Sequence, residues 1–301
     1  MSWAELLEAY DRHLAGLGRS PMTRELVRRW LARWAESCAR QRVELAGVTP
    51  AQLAAFQREL AWAPNRSGGL LSSSSQYQAL AMVRQCLRWA TRRGLLLIDP
   101  TLDLVLRKPL RPVLRLLTVA EVERLLEAPD ATTAHGLRDR ALLDTLYATG
   151  LRRGECHQLD LADVDLAQGL LVVRRGKGGK ARLLPLLPRL AGSLARYLAQ
   201  GRPALVRQPQ EPALFVDRRG GRLSLAVLPL VVKHHAQRIG LGLVSPHRLR
   251  QAFATHLLEG GAELIHLQAL LGHANLSTTE AYTRLAASSV TTEYRRTHPR
   301  A

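Results

Sequence analysis

The stretch that most constrains this chain is residues 104–117, LVLRKPLRPVLRLL, which cannot sustain any regular element. Pro109 and Pro112 remove backbone donors, cations interrupt the apolar residues, and neither a helical nor a strand period survives. A chain of 301 residues with 47% hydrophobic content has material for two cores, and this break decides where they part. We therefore read a first domain over 1–109, a linker over 110–117 and a second domain over 118–301. Thr118 with Glu121 then forms a capping box that opens the first helix beyond the break.

Before the break the period is helical. Leu6, Leu7, Tyr10, Leu14 and Leu17 share one helix, and Leu26, Val27, Trp30, Leu31 and Trp34 share a second, over 22–42. Thr49-Pro50 starts a third that runs to about Leu60, by the rule of a hydroxyl cap followed by proline. The serine- and glycine-rich residues 63–75 read as a loop, and 76–93 as a fourth helix. The result is an all-helical bundle studded with arginine. After the break, helices over 136–148, 188–200 and 224–239 alternate with strand-like stretches at Val164, 170–174, 181–184 and 213–216. A glycine turn around Lys177 joins two of these into a hairpin. The fold class is mainly α with a small antiparallel β-sheet: a helical bundle followed by an α+β domain.

Residues 245–285 mix polar and apolar residues in a way that packing alone does not require. Ser245-Pro246 starts a helix on which His247 and Arg250, three apart, share a face, while Leu249, Phe253, Leu257 and Leu258 supply its apolar stripe. Gly260-Gly261 ends it. A further helix over 262–271 is closed by Gly272, His273 follows directly, and Tyr282 stands in the next helix. Each feature alone has an ordinary explanation: a chance spacing, a solvated histidine, a packing tyrosine. Arg152, just past the Thr149-Gly150 break, and Glu155 are equally unremarkable singly, and a lysine in a glycine turn usually serves solubility.

Charge narrows the partner. Lysine and arginine number 43 against 25 acidic residues, a formal net charge of +18, which favours a polyanion. A GC-rich genome would also enrich arginine, and an anionic membrane surface competes with nucleic acid as the partner. No apolar run is long enough to span a bilayer, and the N-terminal MSWAELLEAY is acidic and amphipathic, so neither secretion nor insertion is expected. The three cysteines form no C-x-x-C pair and the ten histidines no H-E-x-x-H, so no metal, disulfide or cofactor is expected, and a reducing compartment fits.

Taken in order, H-x-x-R at His247 and Arg250, L-L-G-H at 270–273 and a tyrosine at 282 resemble the C-terminal signature of the tyrosine recombinases, the family of phage integrases and Xer-type resolvases. T-G-L-R-x-x-E at 149–155 is similar to that family's first arginine motif and selects Arg152 over Arg153. Cys156 stands where leucine is usual. G-K-G-x-K-x-R-x-x-P at 176–185 resembles its β-hairpin, whose first lysine, here Lys177, reaches the active site. The resemblance implies a SAM-like core-binding domain followed by a catalytic domain, and site-specific recombination through a 3′-phosphotyrosyl link and a Holliday junction. It implies Tyr282 as nucleophile, Arg152 and Arg250 as phosphate clamps, His247 as base or positioning group, His273 as donor and Lys177 as acid, without metal or cofactor. Arg24, Arg28, Arg84 and Arg88 in the bundle, with Lys180 and Arg182 on the hairpin, are the candidate DNA contacts.

The implied partner is double-stranded DNA with inverted half-sites, bound by a homo- or hetero-tetramer, alone or with a second recombinase, in the cytoplasm at the nucleoid and away from membranes. The role would be chromosome-dimer resolution or integration of a mobile element. Val290 and Tyr294 in the tail would pack on a neighbouring protomer, or the tail is simply frayed. The alternatives are a type IB topoisomerase-like relaxase, a non-catalytic DNA-binding regulator of the same fold, and, more remotely, a membrane-associated basic protein.

Overall fold

The computed structural model describes residues 2–65, 68–106, 108–109, 115–174, 181–272 and 285–300. The chain divides into two compact units, Met1–Val113 and Leu114–Ala301.

The first unit is helical. Helices α1 (Trp3–Gly16), α2 (Pro21–Arg40), α3 (Pro50–Ala61) and α4 (Ser73–Arg92) each begin at a hydroxyl cap, Ser2, Ser20, Thr49 and Ser72, whose side chain accepts an early backbone N–H. Helix α4 starts inside the serine run that the sequence assigns to a loop, because Ser72 takes the N–H of Ser75 at 3.2 Å. The stripes meet in a core of Leu6, Tyr10, Leu31, Leu53, Phe56, Val83 and Leu87 around Trp34. The Trp34 ring meets Trp3 edge-on at 6.1 Å and Phe56 at 5.2 Å, contacts that add about 0.5–1.5 kcal/mol each to area burial.

The second unit is built around a buried helix. Helices α5 (Val119–Glu127) and α6 (Ala134–Thr149) come first, and all of α6 from Gly136 to Thr149 except Arg140 is buried. A helix enclosed on every side has no solvated face for its charges, so they must be paired inside. Arg138 donates twice to Asp139 Oδ1, at 2.8 and 2.6 Å, His235 Nε2 lies 2.9 Å from Asp139 Oδ2, and Asp144 bonds Ser193 and Arg300. A short helix α7 (Arg153–His157) follows, then strands β1 (Val164–Asp165), β2 (Leu170–Val173) and β3 (Arg182–Pro185) in one antiparallel sheet of that order. Val173 pairs with Arg182, and Leu171, Val173 and Leu184 enter the core. Residues 213–216 form isolated bridges, Ala213 to Asp160 and Val216 to Arg222, where the sequence predicts a strand. The turn after Val216 folds the chain back, with the Asp217 N–H donating to the Gly221 carbonyl and the Leu223 N–H to that of Phe215, both at 2.8 Å.

Helix α8 (Pro188–Arg196) runs through a π turn (Tyr197–Gly201) into α9 (Arg202–Leu205), and α10 (Leu228–Arg238), α11 (Pro246–Glu259), α12 (Leu264–Leu271) and α13 (Leu285–Thr297) complete the unit. Mainly helical architecture with a small antiparallel sheet is what the sequence leads one to expect. The tail departs from expectation. Tyr294 is 2% exposed, donates to the carbonyl of Ala148, and packs beside Phe253 and His298. Val290 packs against the same core. This segment thus occupies its own unit's core, where a neighbouring protomer or a frayed end was the expectation. All three cysteines are buried and free, and burial pushes the Cys38 and Cys86 thiols up to about 12.

Candidate active site

Two segments of the second unit meet at one carboxylate, and a third places a guanidinium beside them. Gly150 caps α6 with φ at 58°, turning the chain so that Arg152 becomes the N-cap of α7. Glu155, on the first turn of α7, reaches back and accepts the Arg152 backbone N–H at 2.9 Å and Arg152 Nη1 at 2.9 Å. Arg182, the first residue of β3, reaches the same carboxylate with two nitrogens, at 3.1 and 2.9 Å. From α11, Arg250 donates to the carbonyl of Gly150 and, at 2.9 Å, to that of Leu271 at the end of α12. Serine at 245 caps α11, and His247 lies exposed on its first turn, one turn before buried Arg250.

The electrostatics are those of an anion site. Burial pushes the Arg250 guanidinium down to about 10, and the positive charges of Arg152 and Arg182 push the same way against Glu155; at neutral pH it stays charged. Burial alone would raise the Glu155 carboxyl, but hydrogen bonds from Arg182 and from the Arg152 backbone, with the arginine charges, hold it below the ordinary range. Among the described residues the cluster sets three guanidiniums around one carboxylate, so positive charge is in excess. Among the described residues no group of three or more His, Cys, Asp or Glu side chains is placed to hold a metal ion. The arrangement can bind a tetrahedral anion and stabilise charge that grows on its oxygens.

The structure therefore brings Arg152 and Arg250 together and sets His247 on the same helix as Arg250. Lys177, Lys180, His273 and Tyr282 lie outside the described residues. Arg182 needs correction as a DNA contact: its side chain is 11% exposed and committed to Glu155, with Nε donating to the Leu270 carbonyl at 3.0 Å. A signal for this was present in the strand, because Arg182 is two residues from buried Leu184 and so faces inward with it. In the first unit Arg24 is paired with Asp11, Arg28 with Glu25 and Asp11, and Arg88 with Asp99. A basic groove of about 840 Å³ in that unit is lined in part by Arg19, Arg88, Arg92 and Lys108.

Residues 115–289 match the phage integrase family. The chain is 39% identical over 299 residues to "Tyrosine recombinase XerC 2" of Ralstonia nicotianae, covering 97% of this chain and 85% of that one. It is 43% identical over 222 residues to "Tyrosine recombinase XerD" of Pseudomonas aeruginosa, covering 73% and 74%. Among solved structures, a lambda integrase dimer bound to a COC′ core site aligns with a TM-score of 0.67 at 18% identity, covering 97% of this chain and 77% of that chain. XerH bound to its difH substrate aligns with 0.63 at 21%, covering 96% and 84%. These two likenesses concern the fold.

Proposed function

We propose, from the premise that this chain belongs to the phage integrase family of tyrosine recombinases, how its own residues carry out the reaction. The chain is a site-specific recombinase, an enzyme that cleaves and rejoins DNA strands. Tyr282 attacks the scissile phosphorus, a bond forms between its phenolic oxygen and phosphorus, and the bond to the 5′ oxygen breaks. That oxygen takes a proton from Lys177 and leaves as a hydroxyl, while the 3′ end stays on the tyrosine. Rejoining runs the same step backwards with the 5′ hydroxyl of another strand, so the bond energy is conserved and no nucleotide cofactor is consumed.

Arg152 and Arg250 hold the two non-bridging oxygens by charge-assisted hydrogen bonds and stabilise the negative charge of the transition state. His247 accepts or orients the tyrosine proton, and His273 donates to a phosphate oxygen. A free phenol titrates near 10, and an excess of guanidinium charge favours its anion. The observation that carries this reading is the meeting of Arg152 and Arg250 from distant helices in a cluster with surplus positive charge. Duplex DNA with inverted half-sites is the substrate, and four protomers, alone or with a second recombinase, exchange four strands through a Holliday junction. The basic groove of the first unit supports its assignment to the DNA backbone, which sets position and affinity. Among the described residues no helix is long and apolar enough to cross a membrane, and we place the protein at the nucleoid.

Covalent capture tests the mechanism. The full chain is incubated with fragmented genomic DNA and denatured, and protein-linked fragments are sequenced, with Tyr282→Phe in parallel. Enrichment of one short, roughly palindromic site by the wild type alone is the expected result, and its genomic position separates chromosome-dimer resolution from mobile-element integration. Equal, negligible capture by both proteins on that DNA and on nicked half-site duplexes, with duplex binding intact, would sink it.

A further inference from the structure

A carboxylate in the middle of a phosphate site is a liability, since it competes with the substrate for the same guanidiniums. Glu155 is nevertheless 7% exposed and sits among three of them. Its Oε1 accepts from Arg152 Nη1 at 2.9 Å and Arg182 Nη1 at 3.1 Å, and its Oε2 from the Arg152 backbone N–H and Arg182 Nη2, both at 2.9 Å. Arg182 therefore grips both oxygens in the two-pronged geometry, whereas Arg152 gives up a single side-chain nitrogen. The two also differ in direction. The Arg182 side chain is 11% exposed and locked by Nε to the Leu270 carbonyl at 3.0 Å, whereas that of Arg152 is 31% exposed.

We propose that Arg182 is a positioning residue that neutralises Glu155, so that the carboxylate orients Arg152 at one corner without consuming the charge Arg152 needs for the substrate phosphate. The inference rests on the reading of Arg152 and Arg250 as the phosphate clamp. With Arg182 present the cluster holds three positive charges and one negative; without it, two and one, and both oxygens of Glu155 turn to Arg152. A strut joining β3 to α7 and α12 would use the same hydrogen bonds, but the two roles differ in what happens when Glu155 loses its charge. A strut is damaged further. A neutralising group is no longer needed.

The test uses inorganic sulfate as a tetrahedral dianion, titrated calorimetrically into the full chain, with Arg152→Ala identifying the part of the binding that belongs to the site. Arg182→Met is expected to weaken that binding about tenfold, and Arg182→Lys less, because the charge remains while the two-pronged grip is lost. The double variant Arg182→Met/Glu155→Gln is expected to recover to within about threefold of wild type. A double variant as weak as Arg182→Met, or sulfate binding that Arg152→Ala leaves unchanged, overturns the proposal. If Arg182→Met fails to fold, Glu155→Gln alone decides: binding at least as tight as wild type supports the proposal, and weaker binding overturns it. Single-turnover cleavage of the site recovered by covalent capture, run on the same variants, should follow the same order. The sulfate pattern without any covalent adduct would leave the role of Arg182 standing and remove the recombinase mechanism. A wild type that cleaves, beside a double variant no better than Arg182→Met in either assay, would remove the role of Arg182 alone.

Discussion

Gly150 is in the left-handed region at φ 58°, and a Cβ built on it would lie 2.4 Å from Phe253 Cδ1, while its carbonyl accepts from Arg250. One residue thus ends α6, admits the Phe253 ring and anchors a guanidinium. Gly150→Ala adds backbone strain of about 1–2 kcal/mol and forces that ring aside. The expected outcome is a loss of roughly 2–4 kcal/mol in denaturant unfolding, accompanied by slower DNA cleavage than the lost stability explains. Unchanged unfolding would contradict the packing account. The sequence marks Thr149-Gly150 as a break and Arg152 as the residue after it, because glycine caps and arginine motifs are local patterns. It does not reveal that the Gly150 carbonyl meets α11 or that Arg182 meets Glu155, since both contacts join segments far apart in the chain. Arg182 is the instructive case: the charge of a hairpin arginine points towards DNA, and only strand alternation, set against buried Leu184, turns it inward.

Helices α3, α5 and α11 are legible from their starts, since Thr49-Pro50, the Thr118–Glu121 capping box and Ser245-Pro246 are each written into a few adjacent residues. What a helix packs against is not written there, and α13 shows why. The apolar spacing of Val290 and Tyr294 says that one face is buried, but the same spacing would serve a neighbour's core or the segment's own. The structure chooses the latter and encloses His298 behind it, 5.2 Å from the Tyr147 ring and 5.3 Å from that of Tyr294. Burial, then the charge of Arg300 and the proximity of His256, pushes this imidazole down to about 3 from 6.5. The unfolded chain binds a proton there below about 6.5 and the folded chain does not. Stability is therefore fully present above that value and falls as the pH drops towards 3. Melting of the wild type should decline more steeply between pH 7 and 5 than that of His298→Gln, which has nothing to titrate at this position. Parallel curves would show that His298 is protonated in the folded state.

At the scale of the whole molecule, the 301-residue chain carries a formal net charge of +18. If six to ten phosphates are neutralised, affinity for random duplex should fall by about 10³–10⁵ between 50 and 200 mM salt, a change fluorescence anisotropy would follow. Affinity that barely responds to salt would mean that the surplus arginines do not touch the backbone. Relatives named tyrosine recombinases, at 39% and 43% identity, favour strand exchange over supercoil relaxation or passive binding. A practical consequence comes from the cysteines. Cys38, Cys86 and Cys156 are sealed inside the two cores with thiols that burial holds protonated, so the native protein is expected not to react with maleimide reagents. New cysteines at fully exposed Leu97 in one unit and exposed Arg218 in the other would then accept a dye pair unambiguously. The unaltered interior makes the enzyme a ready subject for single-molecule fluorescence.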